Sequence, residues 1–142
     1  MKLIATKGLP GSGKSTWAKE YQAQYPIGTV AIVNNDSIQE MMFGQSYVDA
    51  PNIPMMLAVS RFALVESLSR FVDVIIIDNT NLSRSAVRQL NNIADQFAED
   101  HRIEWKDFTD VPIKVCLERN RLRDNPVPED VIYSMAHLLR KE

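Results

Sequence analysis

Short apolar runs alternate with amphipathic stretches along the chain. Four runs predict strands, at residues 3–6, 30–33, 74–77 and 103–108. The third run, Val74 to Ile77, is uninterrupted and β-branched, which indicates burial on both faces, as in a parallel sheet. Between and after the runs, apolar spacing and helix-start signals predict helices at 15–25, 37–42, 54–71 and 83–99, from Pro112 onward and from Pro128 onward. This order predicts an α/β three-layer sandwich around a parallel sheet of about four strands, forming one domain over residues 1–142.

The residues at the start of the second helix and those that follow it lead to two further predictions. Ser37 followed by Glu40 forms a capping-box pattern, which predicts Ser37 as the N-cap and leaves the Asp36 carboxylate free. After this helix, the Gly, Ser, Asp, Pro and Asn content of residues 43–53 predicts a mobile surface loop. The methionine pairs 41–42 and 55–56 flank that loop and offer an adaptable apolar lining for a ligand.

Composition restricts the function classes. The chain has 142 residues, of which 45% are hydrophobic and 24% charged, as in an ordinary globular domain. Its net charge of −2 and pI near 5.7 exclude a general basic surface for non-specific nucleic-acid binding, so any polynucleotide must be held locally.

Cys116 is the single cysteine, which excludes an intramolecular disulfide and a zinc site built from cysteines. This usage fits a reducing, cytoplasmic location. The start of the chain lacks a signal-peptide pattern, and no apolar run approaches the ~20 residues of a membrane span. We therefore expect a cytoplasmic protein without a membrane partner.

Residues 8–15 match the pattern GxxxxGK(S/T) between a predicted strand and a predicted helix, which indicates a phosphate-binding loop (P-loop). Its glycines permit backbone conformations that point successive N–H groups at a phosphate, and the following helix directs its positive end to the same point. Lys14 is predicted to reach the β- and γ-phosphates, and Ser15 to offer its hydroxyl to Mg²⁺. The predicted nucleotide-binding residues of this segment are Gly8, Pro10, Gly11, Ser12, Gly13, Lys14, Ser15 and Thr16.

Three candidate groups follow predicted strands: the P-loop, Asp36 and Asp78. Because ligands of parallel α/β sheets bind at the carboxyl ends of the strands, we expect these groups to meet in one cleft. The Asn-Lys-x-Asp motif that reads guanine is absent from the sequence, which argues against a GTPase. A compact chain with an acidic residue after its second strand and arginines near its C-terminus favours a kinase.

Several motifs resemble those of the phage-type polynucleotide kinases, which phosphorylate 5′-hydroxyl ends of DNA or RNA. The likeness spans nearly the entire chain in the same order. The matching segments are the P-loop through Trp17 and Ala18, Asn34-Asn35-Asp36, Thr80-Asn81-Leu82, Asp110-Val111-Pro112, Arg119-Asn120-x-x-Arg123 and Val127-Pro128 with Ser134-Met135.

The resemblance implies a P-loop kinase fold and transfer of the γ-phosphate of ATP, or another nucleoside triphosphate, with Mg²⁺ to a nucleic-acid 5′-hydroxyl. By this likeness Asp36 is the general base, and Arg123 is a lid arginine that contacts the nucleotide phosphates. Arg119 lies four residues before Arg123, so the spacing predicts that both project from one helix face into a lid at about 119–127. Val127 matches a position that packs against the acceptor base. The alternatives are a helix cap for Asp36 and a solvated basic helix end for the arginines.

Two positions depart from the family pattern. Gln39 stands where the family has an arginine that holds an acceptor phosphate, so either Arg61, Arg84 or Arg121 replaces it or the acceptor differs. The family's second acidic position falls on Asp78 or Asn79; we favour Asp78, near Mg²⁺ or the acceptor. The predicted metal ligands are Ser15 and Asp78, and the predicted acceptor-binding residues are Asp36, Gln39, Asp78, Asn79, Thr80 and Val127.

Two other functions remain open from the sequence. One is a kinase of the same architecture that acts on a small-molecule alcohol or a nucleotide sugar, which Gln39 and the acidic pI favour. The other is a nucleotide-binding switch without turnover. DNA and RNA ends are equally compatible with these motifs, and the pattern specifies no oligomeric state.

Overall fold

The computed structural model, which describes residues 1–140 and the side chains of residues 1–139, contains four strands and six helices over the described residues. The predicted fold class, an α/β P-loop kinase-like fold with a four-stranded parallel sheet, is confirmed. In chain order the elements are β1 (Lys2–Lys7), α1 (Lys14–Ala23), β2 (Val30–Val33), α2 (Asn35–Phe43), α3 (Ile53–Leu68), β3 (Val74–Ile77), α4 (Arg84–Phe97), β4 (Ile103–Asp107), α5 (Ile113–Arg121) and α6 (Glu129–Arg140).

The strand order is β2-β3-β1-β4, and every pairing is parallel. The strand β3 is buried along its whole length between β2 and β1, as its unbroken β-branched run predicts. Because β1, β2 and β3 run side by side in one direction, the segments that follow them lie at one edge of the sheet. This edge carries the P-loop, the start of α2 and Asp78.

Alternate side chains of each strand supply two separate cores. Leu3, Ala5 and Ile75 face one side, where residues of α3 and α4 complete the larger cluster. Ile4 and Ile76 face the other side and pack with Ala18 of α1. Covering both faces of the sheet with helices produces the three layers. Within the described residues, no helix is long and apolar enough to cross a membrane.

The prediction that Ser37 caps α2 is wrong. Asn34 is the N-cap: its backbone is extended, with φ −136° and ψ 133°, and its side-chain oxygen accepts a hydrogen bond from the Ser37 N–H at 3.0 Å. The helix therefore begins earlier than predicted, and Asp36 lies in its first turn, where the helix dipole favours a negative charge.

The prediction that Arg119 and Arg123 share one helix face is also wrong, because α5 ends at Arg121. The chain tightens there: the Leu122 and Arg123 N–H groups bond to carbonyls three residues back, at Arg119 and Asn120. Leu122, which caps the C-terminus of α5, is 87% exposed. Arg123 thus belongs to the loop between α5 and α6.

Candidate functional site

The P-loop forms a tight backbone turn at the carboxyl end of β1. Gly11 has φ +81°, and a Cβ at this position would lie 2.4 Å from the Cys116 carbonyl oxygen. Gly13 has φ +103° and begins α1 without a side-chain cap, so the first N–H groups of the helix face the cleft without a competing side chain. These are the features of an anion-binding turn at a helix N-terminus.

Lys14 lies inside this turn. The residue is buried, and its ammonium donates a hydrogen bond to the Leu9 carbonyl at 2.7 Å. Burial lowers the pKa of Lys14 to about 8, while the negative charge of Asp78 acts in the opposite direction. The cation is therefore held at the base of the loop, where its charge is poorly screened.

Asp78 ties the P-loop to the neighbouring strands. Its carboxylate accepts hydrogen bonds from the Ser15 hydroxyl at 2.7 Å and from the Thr6 hydroxyl at 3.4 Å. The side-chain amide of Asn34 donates to the Asp78 carbonyl at 2.6 Å. Asp78 is 3% exposed and directly beside Ser15, an arrangement that favours the metal side of the site over the acceptor side.

Asp36 is open to the cleft, and no hydrogen bond to its carboxylate forms within the described part of the chain. Loss of solvent in the cleft raises its pKa. Arg123 and Lys14 lower this pKa electrostatically, and Asp78 raises it. The free carboxylate and the two cations therefore act on one another across the cleft, although they come from three separate segments of the chain.

Asn35 and Asn79 fix the segment that carries Asp36. The Asn35 N–H donates to the Asn79 side-chain oxygen at 2.9 Å, and the Asn79 amide donates back to the Asn35 side-chain oxygen at 3.3 Å. Arg61 is buried and donates to the same Asn35 oxygen at 3.2 Å and to Gln89. Asn79 and Arg61 thus support the turn before Asp36.

Gln39, on the next turn of α2, likewise forms a hydrogen bond to a neighbouring segment of the chain. It is buried, lines the cleft, and accepts a hydrogen bond from the Val48 N–H at 3.0 Å, which ties Val48 in the loop of residues 44–52 to α2. None of the arginines considered as replacements for an acceptor-phosphate ligand lines the cleft; these are Arg61, Arg84 and Arg121. Arg121 instead pairs on the surface with Glu129 at 2.7 Å.

The cleft that these groups surround has a volume of about 500 Å³. Of the predicted nucleotide-binding residues, Gly8 and Ser12 do not line it. The Gly8 N–H bonds to the Thr80 carbonyl, and Ser12 is buried within the loop. The remaining predicted site residues all line the cleft: Pro10, Gly11, Gly13, Lys14, Ser15, Thr16, Asp36, Gln39, Asp78, Asn79, Thr80, Arg119, Arg123 and Val127.

Sequence reasoning missed two kinds of residue. The first kind consists of amides that hold the site: Asn34, and Asn120, which bonds the Val127 carbonyl at 2.8 Å and the Val127 N–H at 2.9 Å. Both asparagines lie inside motifs quoted in the sequence analysis, and this position could have identified them. The second kind consists of apolar or aromatic lining residues: Tyr47, Leu57, Val131 and Met135. Of these, Met135 lies inside a quoted motif, whereas the other three carry no such signal.

The fold and this site define a P-loop kinase-type domain. A family model described as AAA domain, AAA_33, matches residues 3–141, and the chain belongs to this family.

Three known proteins illustrate the relationship. The L-seryl-tRNA(Sec) kinase of Methanococcus maripaludis is 29% identical over 138 residues, which cover 94% of this chain and 50% of that protein. This chain thus spans about half the length of the curated relative it matches. A chain in the structure of the Pnkp1/Rnl/Hen1 RNA repair complex has a TM-score of 0.74 and 26% identity over 99% of this chain and 44% of that chain. Chaetomium thermophilum Kti12 in complex with ADP-AlF3 shares the fold, with a TM-score of 0.66 and 16% identity over 96% of this chain and 79% of its own.

Proposed function

We propose that this domain transfers the γ-phosphoryl group of ATP, or another nucleoside triphosphate, to the 5′-hydroxyl end of DNA or RNA. The observation that carries the proposal is a free carboxylate, Asp36, within electrostatic reach of Lys14 and Arg123 in the P-loop cleft. A non-catalytic nucleotide switch needs no such base beside the phosphates. Residues 119–127 would serve as the lid of the domain.

In the proposed reaction the acceptor hydroxyl oxygen attacks the γ-phosphorus of ATP. The bond between this phosphorus and the β–γ bridging oxygen breaks, and ADP leaves with the electron pair. The proton of the hydroxyl passes to the Asp36 carboxylate, whose raised pKa makes it a stronger base than an ordinary aspartate. Lys14 and Arg123 stabilise the negative charge that develops on the phosphate oxygens.

The residues beside the P-loop fit a magnesium ion. Mg²⁺ prefers oxygen ligands and is commonly held by one or two carboxylates together with substrate phosphates. The Ser15 hydroxyl and the Asp78 carboxylate, 2.7 Å apart, supply such oxygens next to the phosphate turn. When bound, the ion would neutralise charge on the β- and γ-phosphates.

The composition of the cleft supports a nucleotide acceptor over a sugar. Besides Asp36, the lining of the cleft includes the apolar or aromatic side chains of Tyr47, Leu57, Val127 and Met135. A nucleobase buries its faces favourably against such side chains, whereas a polyhydroxylated sugar would lose hydrogen bonds to water without replacing them.

A second candidate acceptor is the hydroxyl of a seryl group carried at the 3′ end of a tRNA. The similarity to the L-seryl-tRNA(Sec) kinase over 94% of this chain favours it. Such an acceptor also presents a terminal nucleobase to the apolar wall, and the same carboxylate would accept the proton of the serine hydroxyl.

An acceptor panel with γ-labelled ATP and Mg²⁺ tests the proposal. We expect label on 5′-hydroxyl oligonucleotides, and none on 5′-phosphorylated controls of the same sequence. Label on seryl-tRNA, and not on the uncharged tRNA or on 5′-hydroxyl ends, would replace the first candidate with the second. Label on sugars alone would refute both, and ATP binding without any labelled product would support a switch.

The lowered pKa of Lys14 predicts that ATP binding takes up protons. Because burial lowers this pKa to about 8, a bound triphosphate that raises it should draw more protons from solution at pH 8 than at pH 7. Calorimetry in two buffers of different ionisation enthalpy measures this uptake. The Lys19→Met variant, which removes an exposed lysine of α1, should retain the uptake. An uptake equal at pH 7 and pH 8 would contradict the assignment.

A further inference from the structure

The cationic and the apolar side chains of the cleft come from different segments of the chain. Among the side chains that the structure describes, the cations lining it are Lys14, Arg119 and Arg123, which come from the P-loop and from residues 119–123. Arg119 reaches the Gly11 carbonyl at 3.5 Å, and Lys14 and Arg123 both act electrostatically on Asp36. Gln39, which borders the acceptor side, is neutral and is already bonded to the Val48 N–H. The lining contributed by α2, the loop after it, α3 and residues 127–135, which we call the acceptor side, contains no described cation that could pair with a phosphate.

Tyr47 forms one apolar wall of the acceptor side. Tyr47 is 74% exposed, so its ring is accessible from the cleft that it lines. The adjacent residue holds the ring at the cleft, because the Val48 N–H is bonded to buried Gln39 and the Val48 side chain packs against the main core. The ring is thus presented on an anchored segment of the loop.

Val127, Val131 and Met135 form the other apolar wall. Asn120 fixes Val127 through hydrogen bonds to both its carbonyl and its N–H. Leu57 of α3, which is 9% exposed, also lines the cleft. The two walls come from distant segments of the chain, and each segment is held by a buried amide side chain, that of Gln39 or of Asn120.

We propose that Tyr47 is a specificity-determining residue that stacks on the acceptor base, and that the acceptor is recognised as a nucleoside without a requirement for its 3′-phosphate. This inference rests on the proposed function. A π-face accepts any base, so stacking supplies affinity with little sequence preference. A 3′-phosphate gains little because no described cation lies on that side to pair with it.

Steady-state kinetics with thymidine and uridine, each compared with its 3′-monophosphate, tests the inference. We expect KM values of each nucleoside and its 3′-monophosphate to agree within about threefold, whereas a charge-assisted phosphate contact would lower KM by about 10-fold or more. Tyr47→Ala should raise the acceptor KM by about 5- to 150-fold, with KM for ATP unchanged. Tyr47→Phe, which keeps the ring, should retain the wild-type KM. Tyr133→Ala, which removes an exposed tyrosine of α6 outside the cleft lining, should also leave it unchanged.

The outcomes separate this inference from the proposed function. The inference alone would be overturned if the protein phosphorylated both kinds of acceptor but had a KM at least 10-fold lower for the 3′-monophosphates. It would also be overturned if both kinds were phosphorylated and Tyr47→Ala had no effect on the acceptor KM. A wild-type protein that binds ATP and phosphorylates neither nucleosides, their 3′-monophosphates nor 5′-hydroxyl oligonucleotides would overturn the proposed function, and the inference with it.

Discussion

Replacing Asp36 by asparagine is expected to lower kcat for phosphoryl transfer by about 10²- to 10⁴-fold, while KM for ATP changes little. The amide has nearly the same shape as the carboxylate but cannot take the proton of the acceptor hydroxyl. Because no described residue bonds the Asp36 carboxylate, the substitution leaves no broken hydrogen bond behind. Steady-state kinetics with a 5′-hydroxyl oligonucleotide measures the effect.

Glu40→Gln is the matched control for this variant, since Glu40 is an exposed acid on the same helix and does not line the cleft. It should retain wild-type kcat. An Asp36→Asn protein with kcat within about threefold of wild type would exclude the carboxylate as the base.

The pH dependence of kcat/KM gives a second measure of Asp36. Activity requires the deprotonated carboxylate, so it falls as the pH drops through the pKa of Asp36. Since that pKa is raised, the acidic limb should lie above the ordinary aspartate value. Arg123 lowers the pKa, so Arg123→Leu should move the limb to still higher pH in addition to slowing transfer. An acidic limb that Arg123→Leu shifts to lower pH would have the wrong sign for this arrangement.

The second large effect is expected from Gly11→Val, which should reduce the affinity for ATP by at least about 10²-fold and lower the free energy of unfolding by about 2–4 kcal/mol. Gly11 has a positive φ, and any Cβ would press on the Cys116 backbone at 2.4 Å, where no flexible side chain can yield. Relief of this contact requires the P-loop to move away from α5. Urea unfolding and equilibrium ATP binding measure the two effects.

The Gly28→Val variant distinguishes the effect of backbone strain from the effect of a steric contact at the Cβ. Gly28 also has a positive φ, +91°, but nothing lies within 4 Å of a Cβ there. This variant should lose about 1–2 kcal/mol of stability and keep its affinity for ATP. Equal losses of ATP affinity in both variants would show that the packing of Gly11 against Cys116 is unimportant for the phosphate turn.

The strands and their relation to the site were predictable because the information is local. Val74 to Ile77 is unbroken and β-branched, and this alone indicates the buried strand β3. The P-loop pattern, Asp36 and Asp78 each follow a strand, and the geometry of parallel sheets brings strand ends together. Their placement around one cleft therefore required no knowledge of loop conformation.

Other features depend on where the chain leaves regular structure. The choice between Asn34 and Ser37 as the cap of α2 is decided by the extended backbone of Asn34, which also places its amide against the carbonyl of Asp78 on the next strand. Arg123 lies beyond α5 because the chain tightens after Arg119, an end that helical periodicity does not encode. Tyr47 was missed because its place depends on Gln39 binding a backbone group nine residues away.

The two hydrogen bonds between Asn120 and Val127 close the neck of a short loop that carries Arg123. Arg123 faces the donor phosphates in the proposed reaction, while Val127 faces the acceptor, so a displacement of the loop moves both ends of the cleft at once. If binding of one substrate draws the loop inward and orders it, the other substrate binds with a smaller further loss of conformational entropy. Such cooperativity is reciprocal by thermodynamic necessity, so ATP and the acceptor would each tighten the binding of the other by the same factor.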